Sequence, residues 1–153
     1  MNYKNFGRLD FKKVHPGGSL STKLKTVEDL MLTGNQIPFI NENMKMNNAL
    51  KIMSLKKLGI LIVRNKKNLT IGVLTDGDLK RAIQKNKNIN NLSVKKIMTK
   101  NPISINQNEL AAKALNLMTS KKKITSLCAH NNKDKRKTTG ILHIHHILDS
   151  NIV

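Results

Sequence analysis

The sequence predicts an α/β (α+β) protein made of two pseudo-symmetric copies of one unit, each a small β-sheet packed by helices. Three observations predict it. Val27-Glu28-Asp29-Leu30-Met31 recurs as Val94-Lys95-Lys96-Ile97-Met98. Apolar residues spaced i, i+3, i+4, i+7 occur at Met46, Ala49, Leu50, Met53 and again at Ala111, Ala114, Leu115, Met118, which puts the two Ala-Leu pairs 65 positions apart. A strand-into-helix stretch at 71–83 returns at 139–148, with Gly72 and Gly140 68 apart. Self-similarity at a fixed period means one supersecondary unit used twice.

Each copy opens on a short helix, 27–31 or 94–98, followed by a proline and an apolar strand, Ile37-Pro38-Phe39-Ile40 or Asn101-Pro102-Ile103-Ser104-Ile105. The i, i+3, i+4, i+7 spacing then gives an amphipathic helix. Next comes an apolar strand, 59–63 or 125–129, a polar turn rich in Asn and Lys at 64–70 or 130–138, and the final strand and helix. The Asn/Lys stretch 85–91 reads as the connector. The units are predicted at 23–87 and 92–153. Neither has enough core to stand alone, so the two are expected to pack face to face.

Composition narrows the function. With 153 residues, 39% hydrophobic and 24% charged, the chain is ordinary for a globular protein. No apolar run approaches the roughly 18 residues that span a bilayer, and the first residues lack the apolar core of a signal peptide; a cytoplasmic, non-membrane protein is expected. The net charge of +19 comes almost wholly from scattered lysines, with arginine only at Arg8, Arg64, Arg81 and Arg136 and 3% aromatics. Nucleic-acid binders favour arginine forks and stacking platforms, so the charge reads as a solvated surface and a nucleic-acid partner is not expected. The single Cys128 excludes an internal disulfide and a cysteine-rich zinc site, and its apolar surroundings predict a buried, inert thiol.

The chemistry concentrates at Gly72-Val73-Leu74-Thr75-Asp76-Gly77-Asp78. A strand ending there turns into a helix whose first N–H groups and dipole attract a phosphate. Thr75 adds a hydroxyl, and the Asp78 carboxylate can accept from two ribose hydroxyls. The same two residues also satisfy a helix capping box, with Thr75 as N-cap and the acid three residues on. Both roles stay open on sequence.

The duplicated frame and this motif resemble a tandem pair of CBS domains, modules that bind adenine nucleotides and regulate an attached enzyme or transporter. The resemblance implies a nucleotide site at Gly72, Thr75 and Asp78, with Pro38 and Ile60 contributing, and a homodimer built through the CBS domains. A fuller likeness is to the C-terminal region of the arabinose-5-phosphate isomerases, the KpsF/KdsD family. It rests on Asp10-Phe11 with His15-Pro16-Gly17-Gly18-Ser19-Leu20, on 27–31 with Gly34 and Pro38, on 74–81, on Ala114 to Met118, on Ile124-Thr125-Ser126, and on Gly140 to His145. These enzymes interconvert ribulose 5-phosphate and arabinose 5-phosphate for Kdo synthesis, with a sugar isomerase (SIS) domain ahead of the CBS pair.

By that resemblance, residues 1–22 are the remnant of the end of a SIS domain and the catalytic domain is missing. His15 matches the histidine of the family's His-Pro-Gly-Gly motif, yet a lone histidine cannot perform an aldose–ketose isomerisation. The reaction needs a base, a group polarising the carbonyl and a phosphate loop. No catalytic residue is therefore assigned, His15 being at most vestigial, and the chain is expected not to be an enzyme by itself.

The second copy departs from the motif: His143 stands at the Thr75 position and His146 at the Asp78 position. An imidazole cannot clamp a ribose diol as a carboxylate does, and its protonated form opposes the helix dipole. A second nucleotide site is expected to be weak or absent. His143, His145 and His146 lack a nearby carboxylate to complete a metal set, so no metal is expected. Three readings remain: a CBS pair binding an adenine or cytidine nucleotide or nucleotide sugar, with no required cofactor; the regulatory half of a split isomerase acting with a separate SIS chain; and a folded gene remnant, favoured by His146 and the basic insertion at 131–137.

Overall fold

The two copies do not fold side by side; each lends its leading segment to the other. The computed structural model describes residues 24–121 and 123–150. In the first copy, helix α1 (Val27–Leu30) precedes strand β1 (Phe39–Asn41), helix α2 (Met46–Lys56), strands β2 (Ile60–Arg64) and β3 (Thr70–Thr75), and helix α3 (Asp76–Lys85). In the second, a 3₁₀ turn (Val94–Lys96) and the two-residue strand β4 (Thr99–Lys100) precede β5 (Ser104–Asn106), helix α4 (Ala111–Asn116), β6 (Ser126–His130), β7 (Gly140–His143) and helix α5 (Ile144–Leu148).

One sheet has the order β1-β2-β3-β4 and the other β5-β6-β7. Strand β4 belongs by sequence to the second copy but pairs antiparallel with β3, Gly72 opposite Lys100 and Val73 opposite Thr99. Reciprocally, Leu32 bridges Ile141 on β7. The exchange repeats one step earlier, where Thr26 bridges Leu110 and Ser93 bridges Lys45. Packing follows the same rule. Val27, Leu30 and Met31 join the core of the second copy, with Ala111, Ala114, Met118, Leu127, Leu142 and Ile147. Val94, Ile97 and Met98 join the core of the first, with Met46, Ala49, Leu61 and Leu74.

Glycine makes this exchange possible at two equivalent places. A Cβ on Gly72 would lie 2.6 Å from Met98 Sδ and 2.8 Å from the Thr99 carbonyl oxygen. One on Gly140 would strike the Met31 side chain and lie 2.9 Å from the Leu32 carbonyl oxygen. The borrowed segment thus crosses each last strand at a point where no side chain stands.

Between the sheets lies a third apolar layer, Ile37, Ile60, Ile62 and Val73 against Cys128 and Ile141. It joins the two copies face to face, as expected from their small separate cores. Burial pushes the Cys128 thiol up to about 12, a pull opposed only by its hydrogen bond with Thr138, so the thiolate needed for reactivity does not form near neutrality.

Several local expectations change. The first strand starts at Phe39 rather than Ile37; Pro38 has no N–H to give a ladder and contributes its carbonyl, which accepts from Ile62 N at 2.8 Å. The helix at 111 passes after Asn116 into a π-helical turn, Leu117–Lys121. There the Thr119 and Ser120 hydroxyls donate back to the Leu115 and Asn116 carbonyls, competing with the backbone ladder. The connector is not simply polar, since Ile89 is buried in the core of the first copy. The insertion at 131–137 docks on β3, Thr70 N donating to the Arg136 carbonyl at 2.7 Å and the Thr70 and Thr138 hydroxyls sharing a 2.6 Å bond. Among the described residues no helix is long and apolar enough to cross a membrane.

Candidate functional site

The two-fold repetition of the unit brings two strand-to-helix junctions and two helix-to-strand turns to one cleft of about 960 Å³. From the first copy it takes the turn after α2, Lys57 to Ile60, and the junction Thr75-Asp76-Gly77 with Arg81 one turn further on. From the second it takes the equivalent turn, Lys123 to Ser126, and the equivalent junction residues His143, His145 and His146. The leading segment of the second copy, Thr99 to Ile103, closes one side, and Val73 and Cys128 contribute from the apolar layer between the sheets.

The turns are made alike. Lys57 and Lys123 both adopt left-handed backbone, φ 59° and 52°, as helix-terminating residues do. Gly59 follows at φ +70°, where a side chain would be strained and a Cβ would sit 3.1 Å from Asp76 Oδ2. The chain therefore passes close beneath the start of α3.

At the first junction the capping box is complete. Thr75 Oγ1 accepts from Asp78 N at 3.3 Å, and Asp78 Oδ2 accepts from Thr75 N at 2.9 Å and from Thr75 Oγ1 at 3.0 Å. The other carboxylate oxygen, Oδ1, accepts from Arg81 Nη2 at 2.7 Å and from Thr99 Oγ1 at 2.6 Å. Asp78 is thus buried, with four donors on its two oxygens. One oxygen holds the helix cap; the other ties the helix to the borrowed strand β4.

The second junction keeps the cap with different atoms. His143 Nδ1 accepts from His145 N at 3.1 Å, and His146 Nδ1 accepts from His143 N at 3.4 Å. The His143 and His145 rings stack with centroids 4.9 Å apart, and His146 meets His143 edge-on at 6.0 Å. Burial, then the charges of His145 and His146, hold His143 below the ordinary imidazole value, which favours the neutral ring its capping bond requires. Among the described residues no group of three or more His, Cys, Asp or Glu is placed to hold a metal ion.

Of the residues singled out on sequence, Thr75 and Ile60 line the cleft. Asp78 lies just behind the wall, reaching it through its partners Thr99 and Arg81. Gly72 and Pro38 are not lining residues: Gly72 serves the close passage of β4, and Pro38 the pairing of β1 with β2. The proline at the cleft is Pro102, because the leading segment that closes it belongs to the other copy. His15 falls outside the described residues. Lys57, Arg81, Lys100, Lys123 and Ser126 were not anticipated. The matched helix-to-strand turns at 57–60 and 123–126 were the signal that could have pointed to three of them.

Residues 27–85 and 94–151 each match the CBS domain model. The chain belongs to the CBS domain family. This CBS pair is 34% identical over 151 residues to the arabinose 5-phosphate isomerase KdsD of Escherichia coli (strain K12), covering 98% of this chain and 45% of the isomerase. It is 37% identical over 149 residues to an uncharacterized protein of Rickettsia prowazekii (strain Madrid E), covering 97% and 45%. The chain spans about half the length of these curated relatives. The crystal structure of CBSX2 in complex with AMP has a TM-score of 0.69 at 23% identity, over 82% of this chain and 94% of that one; CBSX2 is a CBS-pair protein from Arabidopsis thaliana. The CBS domain pair of protein MJ0100, in complex with methylthioadenosine and S-adenosyl-L-methionine, has a TM-score of 0.71 at 22% identity, over 82% and 94%. At these identities the likeness is one of fold.

Proposed function

We propose that this CBS pair is a non-catalytic regulatory module whose cleft binds an adenine or cytidine nucleotide or a nucleotide sugar. The carrying observation is the division of labour at Asp78. Its Oδ2 keeps the cap of α3, while its Oδ1 is held by two side chains, Thr99 and Arg81, that can turn aside. A ribose diol can take their place without uncapping the helix. A base would rest on the apolar wall of Val73, Ile60 and Ile103, and a phosphate would meet Lys57, Lys100, Lys123 and the released Arg81. The AMP held by CBSX2 and the adenosyl ligands held by MJ0100 support the ligand class.

Thermal unfolding with ATP, ADP, AMP and a CMP-linked sugar tests it. A ligand at a hundred times its Kd adds about 2.7 kcal/mol, which raises the midpoint by about 5 °C or more for a domain of this size. No shift with any of the four, in a protein whose calorimetry shows no binding heat, rules the reading out.

A second reading follows from the likeness to KdsD along 98% of the chain. Here the pair regulates arabinose 5-phosphate isomerisation by docking on a catalytic SIS domain. Mixing it with a separately produced SIS domain should change the rate of ribulose 5-phosphate conversion by several-fold. An unchanged rate, with no complex on size-exclusion chromatography, would dismiss it.

A further inference from the structure

We propose that the open groove along the β3–β4 edge is a docking site for an acidic segment of another protein, an extended stretch in which carboxylates flank an apolar side chain. The groove shares only Lys100 and Asn101 with the nucleotide cleft and does not depend on nucleotide binding there. It encloses about 670 Å³. Its floor is Ile71 and Met98, half-buried against the core of the first copy. Its rim carries Lys95, Lys96 and Lys100, with Glu42 as the one acid lining it.

First, the two copies treat the equivalent place in opposite ways. Lys95 N donates to the Glu42 carbonyl at 3.0 Å, as Glu28 N donates to the Gln107 carbonyl at 2.9 Å. Asn101 and Gly34, at matching positions, share left-handed backbone, φ 52° and 56°. In the second copy, side chains close this place on themselves. Gln107 Nε2 donates to Glu28 Oε2 at 3.1 Å, Thr139 Oγ1 donates to Gln107 Oε1 at 2.6 Å, and Asp29 Oδ2 accepts from Thr26 N at 2.8 Å. In the first copy the repeat sets Lys95 and Lys96 where Glu28 and Asp29 stand, and Ile71 where Thr139 stands. Among the described residues none of Glu42, Lys95, Lys96 and Lys100 enters an ion pair. Like charges along one rim repel one another, and an acidic guest relieves that repulsion.

Second, the basic insertion lengthens the rim. Strand β4 ends at Lys100, and beyond it the Arg136 carbonyl accepts from Thr70 N, next to the floor residue Ile71. The exposed Lys135 and Lys137 are thereby brought to the end of the groove. Arg136 itself is engaged by Asp134, at 3.2 and 3.3 Å, so the loop adds its charge through lysine.

Third, the surroundings select the class of partner. Nucleic acid is gripped by free arginine forks and aromatic platforms. Here the Arg136 fork is closed on Asp134, and the Arg64 guanidinium covers the Phe39 ring at 3.7 Å. A bilayer surface takes up apolar side chains beside the charges. The exposed large apolar residues, Leu24, Leu55, Ile83, Leu110 and Leu148, all lie outside the groove. A second copy of this chain offers few carboxylates, with 9 acidic residues against 28 basic ones. Of those acids Asp29, Asp78, Glu109 and Asp134 are held within their own chain. An acidic segment of a different protein supplies the charge, and its apolar side chain covers Ile71 and Met98.

The test is fluorescence anisotropy of the full chain with four labelled probes. They are a peptide alternating glutamate pairs with leucine, its twin with serine for leucine, a single-stranded oligonucleotide of equal charge, and vesicles containing phosphatidylserine. The leucine peptide should bind more tightly than the oligonucleotide or the vesicles, and salt should weaken it. Lys95→Glu/Lys96→Asp, which gives the groove the acids of the other copy, should weaken the peptide by about tenfold, since an exposed ion pair is worth up to about fivefold. Lys51→Glu/Lys87→Glu makes the same change of net charge at exposed positions outside the groove and should weaken it by less than about threefold. The serine peptide should bind several-fold more weakly than the leucine one. Equal losses in the two variants, equal affinity for the two peptides, or no binding of peptide by the wild type would each overturn the proposal. Tighter binding of the oligonucleotide or the vesicles would overturn it as well. Should the charge-reversed protein not fold, methyl resonances of the wild type decide. Those of Ile71 and Met98 must shift with the leucine peptide while that of Met31, the equivalent of Met98, stays in place; unmoved Ile71 and Met98 signals overturn the proposal.

Discussion

Gly140→Ala should destabilise the protein by about 2–3 kcal/mol, the upper part of the range for overpacking a filled site. The new methyl group meets the Met31 side chain and, at 2.9 Å, the carbonyl oxygen of Leu32. The methionine is flexible and can turn away. The carbonyl cannot, because Leu32 and Ile141 exchange both of their backbone hydrogen bonds, at 2.9 and 3.0 Å, beside it. The alanine therefore pushes the borrowed segment off β7 and pulls Val27 and Met31 out of the second core. Urea unfolding should show a midpoint lowered by about 1 M at an unchanged slope. A loss below about 0.5 kcal/mol, the scatter of neutral surface changes, would mean that the segment is not held as described.

Asp78→Ala carries the second large effect, about 3 kcal/mol. A helix cap alone is worth about 1 kcal/mol. The remainder comes from Thr99 Oγ1 and Arg81, which lose the acceptor that ties β4 to the start of α3. Asp78→Asn separates the contributions. The amide oxygen can still accept at the cap, while the amide nitrogen confronts Arg81 or Thr99 with a second donor. It should fall between wild type and alanine in chemical unfolding, and under the proposed function it should lose nucleotide binding as fully as alanine does. Equal stability of all three proteins would refute the role of the carboxylate as a tie, and undiminished nucleotide affinity in the asparagine variant would refute its role toward the ribose.

The repeat was legible because hydrophobic spacing reports directly on which residues face inward. Met46, Ala49 and Met53, and their counterparts Ala111, Ala114 and Met118, are buried as their spacing implies. Spacing does not report which sheet a strand joins. Nothing in Thr99-Lys100 distinguishes pairing with β3 from pairing within its own copy, and so the exchange was hidden. That Pro102 rather than Pro38 lines the cleft beside Thr75 was hidden with it. Gly72, read as part of a ligand motif, also has a steric reason, visible only once Met98 is seen against it. At Asp78 the capping alternative is seen directly, with one carboxylate oxygen holding the start of the helix, while the ribose alternative is carried by the proposed function. Arg81 and the cleft lysines were obscured by the surplus of lysine along the chain, where no single cation stands out.

The exchanged leading segments make the molecule a closed loop of dependencies in time as well as in space. The Leu32–Ile141 bridge joins residues 109 positions apart, and Thr26–Leu110 joins residues 84 apart. Contacts of such separation are reached slowly, because the entropy of closing the loop is spent before the contact returns anything. A ribosome-bound chain that has emerged only to Lys85 has neither β4 nor Val94 with which to complete its first core. Val27 and Met31 meanwhile wait for strands still to be made. The duplication that gives this protein two equivalent halves thus leaves each half completing its core with a segment made with the other.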